Sequence, residues 1–375
     1  MKRVLFVTRC FPPAQGGMER FAADLHGALN ERVELHTLQY GGSKPGLVVI
    51  LPYFFIRALW LLVTKQIDVI HAQDGVVSIM LRPLAWLFKK PMVVVIHGLD
   101  ITFKLALFQW LIRWSLRSAS AIVCISSAAR DEVVKRGIPA AKTNVIPIGV
   151  TDDLFTSSSA KARAAVSEAV GDVQDRKVLL CSGRLVKRKG VAWFIEHVLP
   201  VVTAKQPQTL LLVSGDGPDR ENIQQVVSQT DQADAVWLLG RTSDELLKNL
   251  YNSADCFVMP NIPVAGDMEG FGRVLIEAAL CEVPVVASKL EGIVDAVHDG
   301  KNGRLVRAED ADAFARAVLQ IIQDEPSQER AKKQAKKARA YSLQTFGWEH
   351  IAGCCVDLYD KLTEDDRAGA EKESA

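Results

Sequence analysis

Lys177-Val-Leu-Leu-Cys-Ser-Gly-Arg-Leu-Val-Lys-Arg-Lys-Gly190 opens as an apolar run, breaks at a glycine and passes through a basic loop toward a helical stretch. A short apolar run stopped by glycine reads as a strand buried on both faces, as in a parallel sheet. Outward from it, the same unit recurs at Thr209-Leu-Leu-Leu-Val-Ser-Gly215, Ala235-Val-Trp-Leu-Leu-Gly240, Asp255-Cys-Phe-Val-Met-Pro260 and Val283-Pro-Val-Val-Ala-Ser288. On the N-terminal side, strand candidates at Val4–Val7, Val33–Leu38, Asp68–His71, Met92–Ile96, Ala121–Ile125 and Asn144–Ile148 alternate with segments of helical length. Parallel neighbours need a crossover, so both halves read as doubly wound, Rossmann-like α/β domains.

Between the halves, Thr151-Asp-Asp-Leu-Phe-Thr-Ser-Ser-Ser159 is polar and aperiodic, as a linker is. A length of 375 residues suits two domains. The expected division is an N-terminal domain over 1–160, a second over 161–345, a helix over 346–364 packing back toward the first, and a disordered polar tail over 365–375. Because ligands in open α/β sheets bind beyond the carboxyl ends of the strands, a cleft between the two domains is the expected ligand site.

Composition narrows the class further. Seven cysteines form no Cys-x-x-Cys pair and read as reduced thiols of a cytosolic protein. Met1-Lys-Arg-Val-Leu-Phe-Val-Thr8 is too short an apolar run for a secretory signal and reads as the first strand. The longest apolar stretches, Tyr53–Val63 and Ile101–Leu116, are interrupted by Arg57, Lys104 and Arg113, so no membrane-spanning helix is expected. The net charge of +1 conceals an asymmetry: residues 1–150 hold 18 Lys and Arg against 9 Asp and Glu. Such a split points to an anionic surface or substrate meeting the first half. His-Glu-x-x-His, Gly-x-Ser-x-Gly and Walker lysine patterns are lacking, and Asp310-Ala-Asp312 reads as a helix cap rather than a metal clamp. No metal site is expected.

The segment Glu269-Gly-Phe-Gly-Arg-Val-Leu-Ile-Glu277 places two carboxylates eight positions apart, across a glycine loop opening into a helix. A helix start offers N–H groups to an anion or to sugar oxygens. Eight positions are a little over two turns, which puts Glu277 on roughly the same side as the loop holding Glu269. The segment resembles the Glu-x7-Glu motif of retaining glycosyltransferases of the GT-B fold, family 4 in particular, and the resemblance spans most of the chain. It implies two Rossmann-like domains facing across a cleft, a nucleotide-sugar donor and no cofactor. By that resemblance Glu269 contacts hydroxyls of the donor sugar, Glu277 holds the ribose, and Gly270, Phe271 and Gly272 line the donor site.

Further residues acquire roles from the same resemblance. Arg184 and Lys189 match an Arg and a Lys that neutralise the departing diphosphate, a task requiring no divalent metal; Lys187 and Arg188 are expected in solvent. Gly16 and Gly17 resemble an N-terminal glycine loop, although such a pair is as readily a plain turn. His97, at the end of a strand, resembles the active-site histidine, with a backbone-satisfied histidine as the alternative, and Asp100 is a weaker candidate equally readable as a cap. Gly215 and Asp216 resemble a recurrent donor loop, and Gly240-Arg241 marks where the base sits. Glu291-Gly-Ile-Val-Asp295 departs from the commoner Gly-Gly-Ile-Pro-Glu, which leaves that loop's shape open.

The acceptor rests on different residues. If helical, Phe103–Arg117 sets Phe103, Leu107, Trp110, Leu111 and Trp114 on one side and Gln109, Arg113 and Arg117 on another. That face is either a surface for the acceptor or an anionic membrane, or simply a core helix. The function expected is retaining, metal-independent transfer of a hexosyl unit from a UDP- or GDP-sugar to a cell-envelope lipid, lipopolysaccharide or polysaccharide. A cytoplasmic place follows, with a peripheral one on the inner face of the cell membrane open and no nucleic-acid partner. The alternatives are a nucleotide-sugar epimerase of the same fold and a catalytically silent membrane- or nucleic-acid-binding module.

Overall fold

The computed structural model describes the chain except Gln15, Leu99, Asp100, Thr102, Lys104, Ser157, Asp324 and Ala375, and, within helices, the side chains of Lys44 and residues 366–374. Asp100, the weaker site candidate, thus lies outside the described residues. The chain divides into two compact units, Met1–Gly149 with Phe346–Ala375, and Val150–Thr345.

The N-terminal unit runs β1 (Arg3–Thr8), α1 (Gly17–Asn30), β2 (Glu34–Gln39), α2 (Leu47–Thr64), β3 (Val69–Ala72), α3 (Gly75–Leu87), β4 (Met92–Ile96), α4 (Ala106–Ser118), β5 (Ala121–Cys124), α5 (Ser127–Lys135) and β6 (Thr143–Val145). All pairings are parallel, in the order β2-β1-β3-β4-β5-β6. The central strands are apolar on both faces because helices cover both: Val69, Ile70 and Met92–Ile96 are buried throughout. Helix starts follow the expected chemistry, with the Asp74 carboxylate accepting from Val76 N and Val77 N and Ser126 Oγ from Ala129 N.

Two helices cover the longest apolar stretches of the first half. α2 starts at Leu47, upstream of the Tyr53–Val63 stretch, and has eighteen residues, one of them charged, which is long and apolar enough by composition alone to cross a membrane. Here it is the crossover from β2 to β3, and Phe54, Ala58, Leu61 and Leu62 face the sheet. In α4 the buried side chains are Ile112, Ser115 and Leu116, while Phe103, Leu107 and Trp110 stand exposed. The aromatic face is therefore not core.

The C-terminal unit runs α6 (Ser159–Val170), β7 (Lys177–Ser182), α7 (Val191–His197), α8 (Leu199–Lys205), β8 (Thr209–Ser214), α9 (Arg220–Gln229), β9 (Val236–Gly240), α10 (Asp244–Ser253), β10 (Cys256–Met259), α11 (Arg273–Leu280), β11 (Val285–Lys289), α12 (Ile293–Ala296), β12 (Arg304–Arg307), α13 (Ala311–Ile322) and α14 (Glu325–Phe346). Its parallel sheet has the order β12-β11-β10-β7-β8-β9. One core cluster gathers Phe194, Val202, Val258, Phe314 and Val318. Asp310 caps α13 by accepting from Ala313 N, as expected of Asp310-Ala-Asp312.

α15 (Trp348–Ser374) closes the chain and packs against α1. Trp348 lies 5.8 Å from Phe21 between ring centroids, Lys2 pairs with Asp360 at 3.2 Å, and buried Tyr359 donates to His71 Nδ1 at 2.7 Å. The helix continues through Ser374, past Asp365, where the polar composition predicts order to end; Ala368, Ala370, Glu371 and Lys372 are good helix formers.

Candidate functional site

In each sheet the strand order reverses direction once, and at such a switch point the loops leave opposite faces and open a crevice at the carboxyl edge. In the C-terminal unit the reversal falls between β7 and β10. The basic loop after β7 and the Glu269 loop after β10 therefore meet. Backbone bonds stitch the edge: Gly183 N to Ser214 O at 2.9 Å, Gly215 N to Gly240 O at 2.7 Å, Leu185 N to Asp216 O at 3.0 Å and Ile262 N to Arg188 O at 3.0 Å. A Cβ on Gly215 would lie 1.9 Å from Gly183 O, so the approach of the two loops requires glycine there.

Glu269 is 8% exposed and surrounded by donors. Its Oε2 receives Lys189 Nζ at 2.7 Å, Arg188 Nη1 at 2.5 Å and Asn261 Nδ2 at 3.1 Å. Its Oε1 takes no hydrogen bond among the described residues. Burial alone would raise this carboxyl, but the Lys189 and Arg188 charges and the bonds from Lys189 and Asn261 outweigh it and hold it below its ordinary value. The group is an ionised carboxylate fixed by one oxygen.

Arg188 corrects the expectation that it is solvated. Its guanidinium spans Glu269 and Asp267, the latter at 2.9 Å, because a short 3-10 turn over Lys187–Lys189 presents Arg188 and Lys189 inward and Lys187 outward. Arg184 stands exposed at the end of β7 with no ion pair among the described residues. Arg241 is likewise exposed after β9.

Glu277, also 8% exposed, sits in the first two turns of α11. Its Oε2 accepts from Tyr251 OH at 3.0 Å and its Oε1 from Arg273 Nε at 3.1 Å. Both carboxylates of the pair are thus buried and bonded, neither being a solvated helix-surface residue. Burial, reinforced by Glu277, pushes the Tyr251 hydroxyl well above its usual range, so it remains a donor. Gly270, Phe271 and Gly272 lead into α11, with Phe271 buried.

Glu291 occupies the departure from the commoner glycine pattern. Its backbone is left-handed at φ 46°, a region glycine favours, and its carboxylate accepts from Glu269 N, while Glu269 O receives Gly292 N at 3.1 Å. A Cβ on Gly292 would sit 2.1 Å from Gly270 O, so this second glycine is required by the loop it braces.

In the N-terminal unit the reversal falls between β1 and β3. Gly16 and Gly17 lie where β1 turns into α1, and His97 follows β4. His97 Nε2 is 3.2 Å from Gln73 O, and its ring meets Phe21 of α1 edge-on at 5.3 Å. Arg9 and Asp74 form a 3.0 Å ion pair across the switch point. Glycine loop and histidine are thus gathered at one sheet edge of their own unit.

A sheet pair of this order with a Glu269–Glu277 pair at one switch point agrees with the sequence matches. Residues 15–154 match the model of Glycosyltransferase Family 4, and residues 163–338 that of Glycosyl transferases group 1. The chain belongs to the GT-B glycosyltransferases of this group. As an enzyme of that class it transfers sugar from a nucleotide-sugar donor. Among similar proteins, a GDP-mannose-dependent alpha-(1-6)-phosphatidylinositol monomannoside mannosyltransferase of Mycolicibacterium smegmatis is 29% identical over 92% of this chain and 95% of its own. An alpha-maltose-1-phosphate synthase of the same species is 25% identical over 96% and 100%. Of solved structures, sucrose-phosphate synthase from Thermosynechococcus elongatus superposes at TM-score 0.75 with 23% identity over 97% of this chain and 100% of that one. Anabaena Alr3699/HepE in complex with UDP-glucose superposes at 0.73 with 21% identity over 96% and 100%. These two likenesses bear on the fold of the transferase.

Sequence reasoning missed Arg188, Asn261, Tyr251 and Asp267. It missed Arg273 as well, although its i,i+4 spacing to Glu277 on one helix is a signal that could have found it. Tyr251 lies 26 positions from Glu277, and no local pattern brings them together.

Proposed function

We propose that this transferase moves a hexosyl unit with retention, without a divalent metal, from a nucleotide-diphosphate sugar to a hydroxyl of a cell-envelope lipid or saccharide acceptor. The observation that carries this reading is Glu269: one oxygen is locked by Lys189, Arg188 and Asn261, and the other is left to accept from a donor-sugar hydroxyl. Glu277, held by Tyr251 and Arg273, takes the ribose. Arg184, which is exposed, and Lys189, half-buried against Glu269, supply positive charge as the C1–O bond to the diphosphate breaks. The acceptor oxygen bonds to C1 on the same face, and its proton passes to the departing phosphate oxygen. His97 contributes a hydrogen bond beside the sugar.

The donor is best taken as a GDP- or UDP-hexose and the acceptor as lipid-borne. The mycobacterial relative's name, with GDP-mannose and a phosphatidylinositol mannoside, supports both, as does the basic first half. A cytoplasmic enzyme peripheral to the membrane fits that acceptor.

A thermal-shift screen of UDP-, GDP- and ADP-sugars names the donor, and transfer should persist in chelator. Glu277→Ala should weaken nucleotide binding about tenfold or more through loss of a charged hydrogen-bond acceptor. Arg184→Ala and Lys189→Ala should each lower turnover by about a hundredfold, the scale of a lost transition-state donor. Normal turnover in both cation variants would sink the phosphate assignment, and an altered nucleotide sugar formed from donor alone would make the protein an epimerase.

A further inference from the structure

One helical layer of the N-terminal unit presents an outer surface that the transfer chemistry does not use. From β2 the chain crosses to β3 and then steps through β4 and β5 in one direction, so right-handed crossovers set α2, α3 and α4 on the same face of the sheet. α2 packs on α3, and α3 on α4. Sixteen large hydrophobic side chains stand exposed among the described residues, and twelve of them lie between Val48 and Trp110, on this layer and its entering loops. On α2, Val49, Tyr53, Ile56, Trp60 and Val63 recur at helical spacing opposite the four residues that face the sheet. Trp86 and Leu87 end α3, and Leu107 and Trp110 extend the surface on α4.

Charge on this surface has one sign. α2, α3 and α4 contain no acidic residue, whereas Arg57, Arg82, Arg113 and Arg117 lie on them and Lys89 and Lys90 follow α3. None of these six cations makes an ion pair among the described residues. Arg57 lies 4.6 Å over Trp60, and Arg82 lies 4.0 Å over Trp114, which stacks on Trp110. An open cleft is lined by Arg82, Trp110, Arg113, Trp114, Arg117 and Ser118.

These features select the occupant. A second copy meeting this face by two-fold symmetry would set the same unpaired cations against themselves. Nucleic acid would neutralise the arginines but leave Val49, Ile56 and Val63 in water. An anionic bilayer satisfies both, since aromatic and aliphatic side chains enter at the headgroup level while arginines meet lipid phosphates. We propose that the α2–α3–α4 layer docks on an anionic lipid bilayer, α2 sinking its apolar stripe into the interface and the Arg82–Arg113–Arg117 cleft receiving a lipid phosphate. This deepens the reading of a lipid-borne acceptor, but it is measured without donor or acceptor, so either can fail alone.

The test sediments the full chain with vesicles of phosphatidylcholine alone and with added phosphatidylglycerol. Binding is expected only to the anionic vesicles, falling as salt rises. Ile56→Ser/Trp60→Ser and Arg113→Glu/Arg117→Glu should each weaken it by about tenfold or more while keeping the wild-type unfolding midpoint. Should a double variant unfold, single Val63→Ser, at an exposed position, gives a smaller loss in the same direction. The proposal is overturned by no sedimentation with anionic vesicles at physiological salt, by undiminished binding of the arginine variant, by displacement with inorganic phosphate, or by a dimer that buries Trp60.

Discussion

Glu269 and Glu291 form one device at the scale of single residues. Glu269 is gripped through its side chain by Lys189 and Arg188 and through its backbone by Glu291, whose carboxylate replaces the rigidity a glycine loop would otherwise lack. Burial raises the Glu291 carboxyl, and the bond from Glu269 N–H works against it. Holding a non-glycine residue left-handed costs about 1 kcal/mol, and losing a bond to a charged acceptor costs about 1.5–3 kcal/mol. Glu291→Ala keeps the strain and loses the bond, so it should destabilise by about 2 kcal/mol. Glu291→Gly recovers the strain and should cost about half as much, and denaturant unfolding of both variants checks the order. The Glu pair was legible because both residues lie on one loop and helix. Its clamp was not, because Arg188 lies 81 positions from Glu269 and Tyr251 26 from Glu277, and only tertiary folding brings them together.

Among elements, edges and interiors differed in legibility. β4 is legible at its observed bounds because its five consecutive apolar residues are buried on both faces. β12, Arg-Leu-Val-Arg at the sheet edge, is not legible, because an edge strand exposes charged side chains at both ends. β3 carries a second feature, His71, fully buried between Gln73, 2.7 Å from Nε2, and Tyr359, whose hydroxyl donates to Nδ1. Burial depresses its pKa from 6.5 to about 4, with Gln73 acting the other way. The folded state therefore favours neutral His71; its contribution is complete above pH 6.5 and is lost as pH falls toward 4. At 1.36 kcal/mol per pH unit the loss reaches about 3 kcal/mol. His26 and His298, depressed mainly by burial, act in the same direction. His71→Leu should lower stability at pH 7 yet flatten its decline between pH 6.5 and 5, measured by unfolding midpoints across that range.

For the molecule as a whole, the C-terminal helix belongs to the first unit although it follows the second in the chain. Trp348, Ile351, Tyr359 and Cys355 are buried by it, and each large apolar side chain contributes roughly 1.5–3 kcal/mol. A chain ending at Thr345 should therefore lose the cooperative unfolding of the N-terminal unit while residues 150–345 keep theirs, which calorimetry resolves as loss of one transition. From the sequence alone came the alternation of apolar strands and helices, the Glu269–Glu277 pair and the basic first half. Each is a pattern in neighbouring residues whose period or spacing the backbone must obey. Tertiary structure alone decided that Arg188 turns inward, that Glu269 keeps one oxygen open, that the aromatic face of α4 is exposed and that α15 locks onto His71. Those outcomes depend on contacts between residues far apart in the chain, where burial and charge, not local period, choose the partner.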